Sequence, residues 1–285
     1  MITWTLTLDQ LLQTIAQSQD SDGHWIQYPN SISLTGFQEL PTLSETLTQA
    51  RTLQGLESTV RQIQDLSTKL YDAIRPPATL RRVPVYSASH GALNPHRVLR
   101  GSTRPWRTTS PTVRPAHGRR VTLVLPASLP SAIPHEQAQW WHASTLALAD
   151  TLHYAGYHVD LAAASVLSSL FERTREASVC LVVHLRQAGD PWALHNVAVA
   201  AQATFNRKLL FRFWETQTSF HGPIKPGYGT VELDQSKVSA ACLEADPMLR
   251  QCVLGASYWS NIDNQSSAIA WIQAQLATIT AQAAS

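Results

Sequence analysis

Three polar residues stand where a chain of alternating strands and helices would gather chemistry. Ser128 follows an apolar run, Asp190 precedes a proline, and Glu215 ends an apolar-aromatic run. Open α/β sheets bind their ligands beyond the carboxyl ends of the strands, so these three are the candidates for that rim. Each also fits a plain structural role. Asp190-Pro191 has the form of an N-cap followed by a first-turn proline, and Glu215 that of a strand-end charge. Other chemistries lack their spacing. His135-Glu136 begins like H-E-x-x-H, yet Gln139 stands where the second histidine belongs. His142 falls seven residues from His135, and His153 and His158 flank Gly156, so none has ligand spacing. Gly222-Pro223-Ile224-Lys225-Pro226-Gly227-Tyr228-Gly229 lacks the Lys-Ser/Thr of a phosphate loop and reads as an ordinary loop. There is no G-x-G-x-x-G and no G-x-S-x-G. Cys180 and Cys252 lie in apolar runs, where a thiol behaves as a small hydrophobe. No catalytic residue, metal or cofactor is expected.

The strongest feature is electrostatic. From Ala73 to His135 there is no Asp or Glu and no Lys, but there are ten arginines: 75, 81, 82, 97, 100, 104, 107, 114, 119 and 120. The chain holds 22 basic and 20 acidic residues in all, which leaves 12 basic against 20 acidic outside this window. A near-neutral total therefore conceals a basic belt joined to an acidic remainder. Arginine's planar fork suits bidentate contact with carboxylate or phosphate. Arg97, Arg100, Arg104, Arg107 and Arg114 are spaced through a Pro/Ser/Thr-rich stretch, with Trp106 between Arg104 and Arg107. That arrangement suits phosphate contact with base stacking, and equally docking onto an acidic protein surface. Arg81, Arg82, Arg119 and Arg120 flank strands, where pairing with the chain's own carboxylates is the competing role.

Length and composition describe a globular chain of one or two domains, 44% apolar and 15% charged. Low charge with nine tryptophans suggests a surface partly covered by partners, and oligomerisation stays open. Three cysteines without a C-x-x-C pair point to reduced thiols. Neither a signal-peptide pattern nor an apolar run of membrane-spanning length is present, so a cytoplasmic setting is expected.

Positioning these residues requires three segments. Residues 1–75 read as a helical unit. It has a helix over 7–17, a capping box at Thr42-Leu43-Ser44-Glu45, and a stripe of Val60, Ile63, Leu66, Leu70 and Ile74 ended by Pro76-Pro77. Residues 25–37 read as extended or irregular. Residues 76–118 form the arm, with a short strand around Val83–Tyr86 and an exposed loop over 102–118. From 119 to 285 strands alternate with helices. The strands are expected at 121–125, 157–161, 179–185, 208–214 and 251–256, and the helices over 136–155, 190–203 and 266–280. Gly156 is the expected left-handed helix stop. Such alternation implies α/β: a parallel-rich sheet covered by helices on both faces.

Three segments of this region carry a family resemblance: Arg119–Leu125, Ala147–Val159 and Arg207–Glu215. They resemble the von Willebrand factor A-type fold, and more closely an uncharacterised family of phage and bacterial proteins with a degenerate form of that core. Ser33–Phe37 and Leu43–Leu47 resemble the same family's amino-terminal half. In metal-binding members of the fold, an Asp-x-Ser-x-Ser motif after the first strand ligates magnesium. Here that stretch is Pro126-Ala127-Ser128-Leu129-Pro130, with Pro126 in place of the aspartate. A hydroxyl without a carboxylate is a poor site for a hard cation. The resemblance implies a non-catalytic binding or assembly component of a phage or mobile element, cytoplasmic or virion-associated, with the arm as contact surface. The alternative is a nucleic-acid-binding protein in replication or packaging.

Overall fold

Strict alternation in Ile-Thr-Trp-Thr-Leu-Thr makes the first element a strand rather than part of a helical unit. The computed structural model describes residues 1–19, 41–71, 78–87, 92–100, 102–103, 105–115, 119–129, 133–168, 177–217, 230–231, 234–249 and 252–284. In chain order the elements begin with β1 (Ile2–Thr7), α1 (Leu8–Ala16), α2 (Leu43–Thr52) and α3 (Glu57–Tyr71). The arm holds β2 (Ala78–Ser87), β3 (Ala92–Leu93), α4 (Pro95–Leu99) and β4 (Trp106–Pro115). There follow β5 (Arg120–Pro126), α5 (His135–Tyr154), β6 (His158–Ser168), β7 (Ala177–Arg186), α6 (Leu194–Ala198) and α7 (Phe211–Thr216). The last are β8 (Thr230–Val231), α8 (Gln235–Ala245), β9 (Val253–Leu254) and α9 (Gln265–Ala284). Among the described residues no helix is long and apolar enough to cross a membrane.

The main sheet has the order β1-β7-β6-β5-β9, with β8 also paired to β6. Its β1–β7, β5–β6 and β5–β9 ladders are parallel, while β6–β7 and β6–β8 are antiparallel. The architecture is the expected mixed α/β, with a mostly parallel sheet and helices on both faces. Alternation along β7 sorts its residues: Val179, Leu181 and Val183 face one core, Cys180 and Val182 the other. The first core is large and draws on α1, α2, α3, α5 and α9. The second is closed by Val238, Ala241 and Cys242 of α8. α5 is buried on nearly every side, with Trp141, Leu146, Leu148 and Leu152 inaccessible or nearly so, as a central helix must be. It stops in a full Schellman motif. Gly156 takes φ 88°, its N–H reaches His153 O, and the Tyr157 N–H reaches Leu152 O at 3.0 Å.

The described residues of 1–75 share this core. Leu11, Leu12 and Ile15 of α1, and Val60, Ile63, Leu66 and Leu70 of α3, belong to the same cluster as the sheet residues, and β1 is a strand of the sheet itself. The Thr42–Glu45 capping box forms as expected, with the Thr42 N–H bonded to Glu45 Oε2 at 2.7 Å. The expected irregular segment at 25–37 and the 222–229 loop lie outside the described residues.

Three expectations are corrected. Within the expected 102–118 loop, of which 104 and 116–118 lie outside the described residues, residues 106–115 form a strand: β4 pairs antiparallel with β2 over ten residues and with β3 over two, making a second sheet ordered β2-β4-β3. Its prolines, which read as breakers, obey one register. Pro84 faces Thr109, Pro111 faces Arg82 and Pro115 faces Ala78. These pairs are an even number of residues apart, so all are of one class, and every missing N–H can point to an outer edge. The expected 208–214 strand is helical instead, a π-turn over Phe205–Leu210 running into α7. Phe205, Leu209 and Phe213 recur every fourth residue and are all buried, a helical stripe hidden in an apolar run. Asp190 does not cap a helix. α6 starts four residues later behind Ala193, while the 187–190 segment closes a turn at Gly189, φ 105°.

Candidate functional site

The arm's centre is built by local bonds. Asn94 caps α4 by accepting from the Arg97 N–H, Pro95 begins the helix, and the Asn94 N–H reaches Pro105 O at 2.8 Å. Arg97 Nη2 donates to Ser102 Oγ at 3.2 Å, while the Ser102 N–H returns to Arg97 O at 2.9 Å. This short closed unit turns apolar groups outward. Leu93 is 49% exposed, Val98 46% and Leu99 85%, beside exposed Arg100. Trp106 is half-buried where β4 begins, its backbone paired with Leu93 and Ser87. Arg107 pairs with Tyr86 and Ala92, and Arg114 with Thr79. The seven-residue step from Arg107 to Arg114 corresponds to about 24 Å of strand. Arg97, Arg100, Trp106 and Arg107 therefore gather at one end of the arm sheet and Arg114 stands at the other. Arg104 lies outside the described residues.

Part of the belt is used within the chain. Arg120 closes on the Asp160 carboxylate through Nε and through Nη2, the latter at 3.0 Å, and Asp160 also accepts from the Ala188 N–H at 2.7 Å. Arg119 is exposed.

The rim candidates do not converge. Ser128 is buried beyond β5, where Oγ accepts from the Val166 N–H at 2.8 Å and lies 3.1 Å from Ser165 Oγ. Asp190 lies beyond β7, at the other end of β6: Oδ2 accepts from the Gln187 N–H at 2.9 Å, and neighbouring Arg186 bonds Val159 O. The antiparallel β6–β7 ladder separates the two, because it places the carboxyl ends of β5 and β7 at opposite ends of the sheet. Glu215 is not at a strand end at all. It is buried on α7, ion-paired to Arg212 at 3.0 Å, and Arg212 in turn holds Ser18 Oγ and O.

Residues 35–251 match the family model of DUF7192, a domain of unknown function. The chain belongs to that family. No curated protein and no solved structure matches it. The DUF7192 segment takes in the whole arm, β5 to β8 and α2 to α8, whereas β1, β9 and α9 lie outside it.

Within the DUF7192 segment are polar groups that spacing did not single out. Asp150, nearly buried on α5, accepts from Trp192 Nε1 at 2.7 Å and from the Tyr71 hydroxyl. Burial, then the Asp150 bond, pushes the Tyr71 hydroxyl up to about 12. Around this carboxylate Tyr71 stacks on Tyr154 at 4.1 Å, His153 stacks on Trp192 at 5.0 Å, and the Arg186 guanidinium lies 4.9 Å from the Trp192 ring centre. The π-turn buries Asn206, Arg207 and Lys208, and burial lowers the pKa of both cations. Arg207 bonds Ile133 O at 2.7 Å and the His135 ring. The i, i+4 apolar stripe at 205–213 was the available signal for this helix. Nothing in the sequence marks Asp150.

A cleft of about 630 Å³ opens at the carboxyl ends of β1 and β7, lined by Thr7, Asp9, Arg51, His184, Arg186 and Asp190. It carries both signs of charge, and part of its polar lining is engaged: His184 Nε2 is 2.8 Å from Asp246, and Asp190 Oδ2 accepts from the Gln187 N–H. Among the described residues no three His, Cys, Asp or Glu side chains stand close enough to hold a metal ion. Cys180 and Cys242 are buried free thiols. The hydrogen bond with Cys180, then burial, raises the Cys242 thiol well above its ordinary range, and burial moves Cys252 up to about 11. Such thiols are protonated and poorly nucleophilic at neutral pH.

Proposed function

We propose that this chain is a non-catalytic binding or assembly component, with the α/β domain as scaffold and the arm as its contact surface. The observation that carries the reading is the exposed apolar group Leu93, Val98 and Leu99 set among Arg97, Arg100 and half-buried Trp106. Aromatic, aliphatic and arginine side chains on one surface are the composition of a protein-binding patch. The partner it fits is an acidic protein surface with an apolar centre. Support for the non-catalytic part comes from the engaged states of Ser128, Asp190 and Glu215. A phage or mobile-element setting rests on the sequence resemblance, with which the mostly parallel α/β sheet is compatible.

The test is recovery of the chain from its native source by size-exclusion, with and without nuclease, for wild type and for Leu99→Asp/Arg100→Glu. Co-migration with a protein assembly that resists nuclease and is lost in the variant is expected. Assembly by the variant as by wild type would reject the surface. Release by nuclease alone would favour the nucleic-acid alternative, for which the same arginines, with Arg104, Arg107 and Arg114, supply phosphate contacts.

A further inference from the structure

Sheet edges invite pairing with other chains, and proteins blunt them with prolines, charges, bulges or very short strands. This molecule does so at three of the described edges. β9 and β3 have only two residues each, and β2 carries Pro84. β1 has none of these devices. It spans six residues, Ile2 to Thr7, without charge, proline or bulge, and pairs on one side only, with β7. Among the described residues no backbone group bonds its outer side. Thr5 and Thr7 are exposed, Thr5 Oγ1 donating to Ala245 O at 3.0 Å and Thr7 capping α1, and Ile2, Trp4 and Leu6 are half-buried against the core. Trp4 is anchored there edge-on to Phe213 and Trp214, at 6.1 and 5.3 Å.

We propose that β1 pairs antiparallel with β1 of a second copy of this chain, forming one sheet continuous across a twofold axis. The strand's pattern selects this occupant. A twofold perpendicular to the sheet keeps both cores on the same side, so residues directly opposite must share a face. That requires an apolar residue opposite an apolar one. Centring the pair on Trp4 satisfies it with the greatest overlap: Ile2 faces Leu6, Thr3 faces Thr5, and Trp4 faces Trp4 of the second copy. A shift by one residue would set threonines against the core side of every pair. The strand itself carries no charge to oppose self-association, and the amino-terminal ammonium before it is paired with Glu244. The pairing is independent of the arm, which belongs to the other sheet.

Sedimentation velocity over a dilution series from millimolar to micromolar protein tests it. Wild type is expected to sediment as a dimer that dissociates on dilution. Thr5→Lys, which gives up only the Oγ1 bond to Ala245 O, is expected to sediment as a monomer with unchanged circular dichroism. Thr3→Cys/Thr5→Cys tests the register separately, since mild oxidation should yield a covalent dimer through the facing pair. A wild-type chain that is monomeric throughout overturns the proposal, as does a folded Thr5→Lys that dimerises as tightly as wild type. Should Thr5→Lys fail to fold, absence of the cross-link in the double cysteine variant overturns it instead. Leu99→Asp should leave this dimer intact, so failure of the arm surface and failure of the edge are separable.

Discussion

Gly255 rests against the side chain of Thr145: a Cβ at position 255 would lie 2.5 Å from both Thr145 Cγ2 and Oγ1. The contact joins the end of β9 to the middle of α5, and Thr145 Oγ1 also accepts from the Ala256 N–H at 2.9 Å. A β-branched side chain in the interior of a helix has little room to turn away. Gly255→Ala is therefore expected to cost about 1–3 kcal/mol by overpacking. Thr145→Ala removes the obstacle but also the Ala256 bond, so the double variant should be less destabilised than the sum of the singles. Urea denaturation of all four proteins checks this, and strict additivity would show that the two residues do not meet.

Gly156 gives a second test of local geometry. Its φ of 88° belongs to the left-handed region, which a β-branched residue occupies only with strain. Gly156→Val should destabilise the fold by about 1 kcal/mol or more, read as a lower denaturation midpoint with unchanged slope.

His142 sets an acid limb. It is wholly buried on α5 beside the carbonyls of Pro126 and Ala201, and burial, partly offset by those carbonyls, lowers its pKa to about 4 from 6.5. A folded-state pKa below the unfolded value means that the unfolded chain binds the extra proton first. Stability is thus fully present above pH 6.5 and falls as the pH drops towards about 4. Carboxylates contribute in the same range, so the difference between wild type and His142→Gln isolates the histidine. The variant should be less stable at neutral pH, with a gap that narrows on acidification. A constant gap from pH 7 to 4 would mean that His142 charges freely in the folded state.

What was legible in the sequence had a local cause. The Thr42–Glu45 box, the α3 stripe from Val60 to Leu70 and the Gly156 stop each need only neighbouring residues to take shape, and each formed as expected, while Ile74 and Pro76-Pro77 lie outside the described residues. The failures share the opposite property. β1 has a strict two-residue alternation, but its partner β7 is more than 170 residues away, and beside a helical stretch the strand was absorbed into it. Helix 205–216 reads as a strand because Leu209, Phe211 and Phe213 also alternate. Only the tertiary core, which buries Leu210 and Trp214 as well, selects the helix. In the arm, Arg97, Arg100 and Trp106 were legible as residue types. The apolar half of the surface was not, because nothing in composition tells an exposed Leu99 from a buried one.

The arm arginines provide the decisive comparison between a protein partner and nucleic acid. If they bind phosphate, each contact releases counterions, and log affinity for duplex DNA should fall with log salt at a slope of roughly −0.9 per contact. Arg104→Gln/Arg107→Gln should flatten that slope by about two units and leave the melting curve unchanged. Trp106→Ala should weaken single strands more than duplexes, since stacking needs an open base face. Leu99→Asp separates the readings from the other side. A protein interface loses its apolar centre with that change, whereas a phosphate-binding arm gains one negative charge and loses only part of its affinity. Fluorescence anisotropy with labelled single- and double-stranded DNA, across a salt series, measures all four proteins. Salt-independent or absent binding by wild type would end the nucleic-acid reading, and the exposed Leu93, Val98 and Leu99 would then be tested only as a dock for protein.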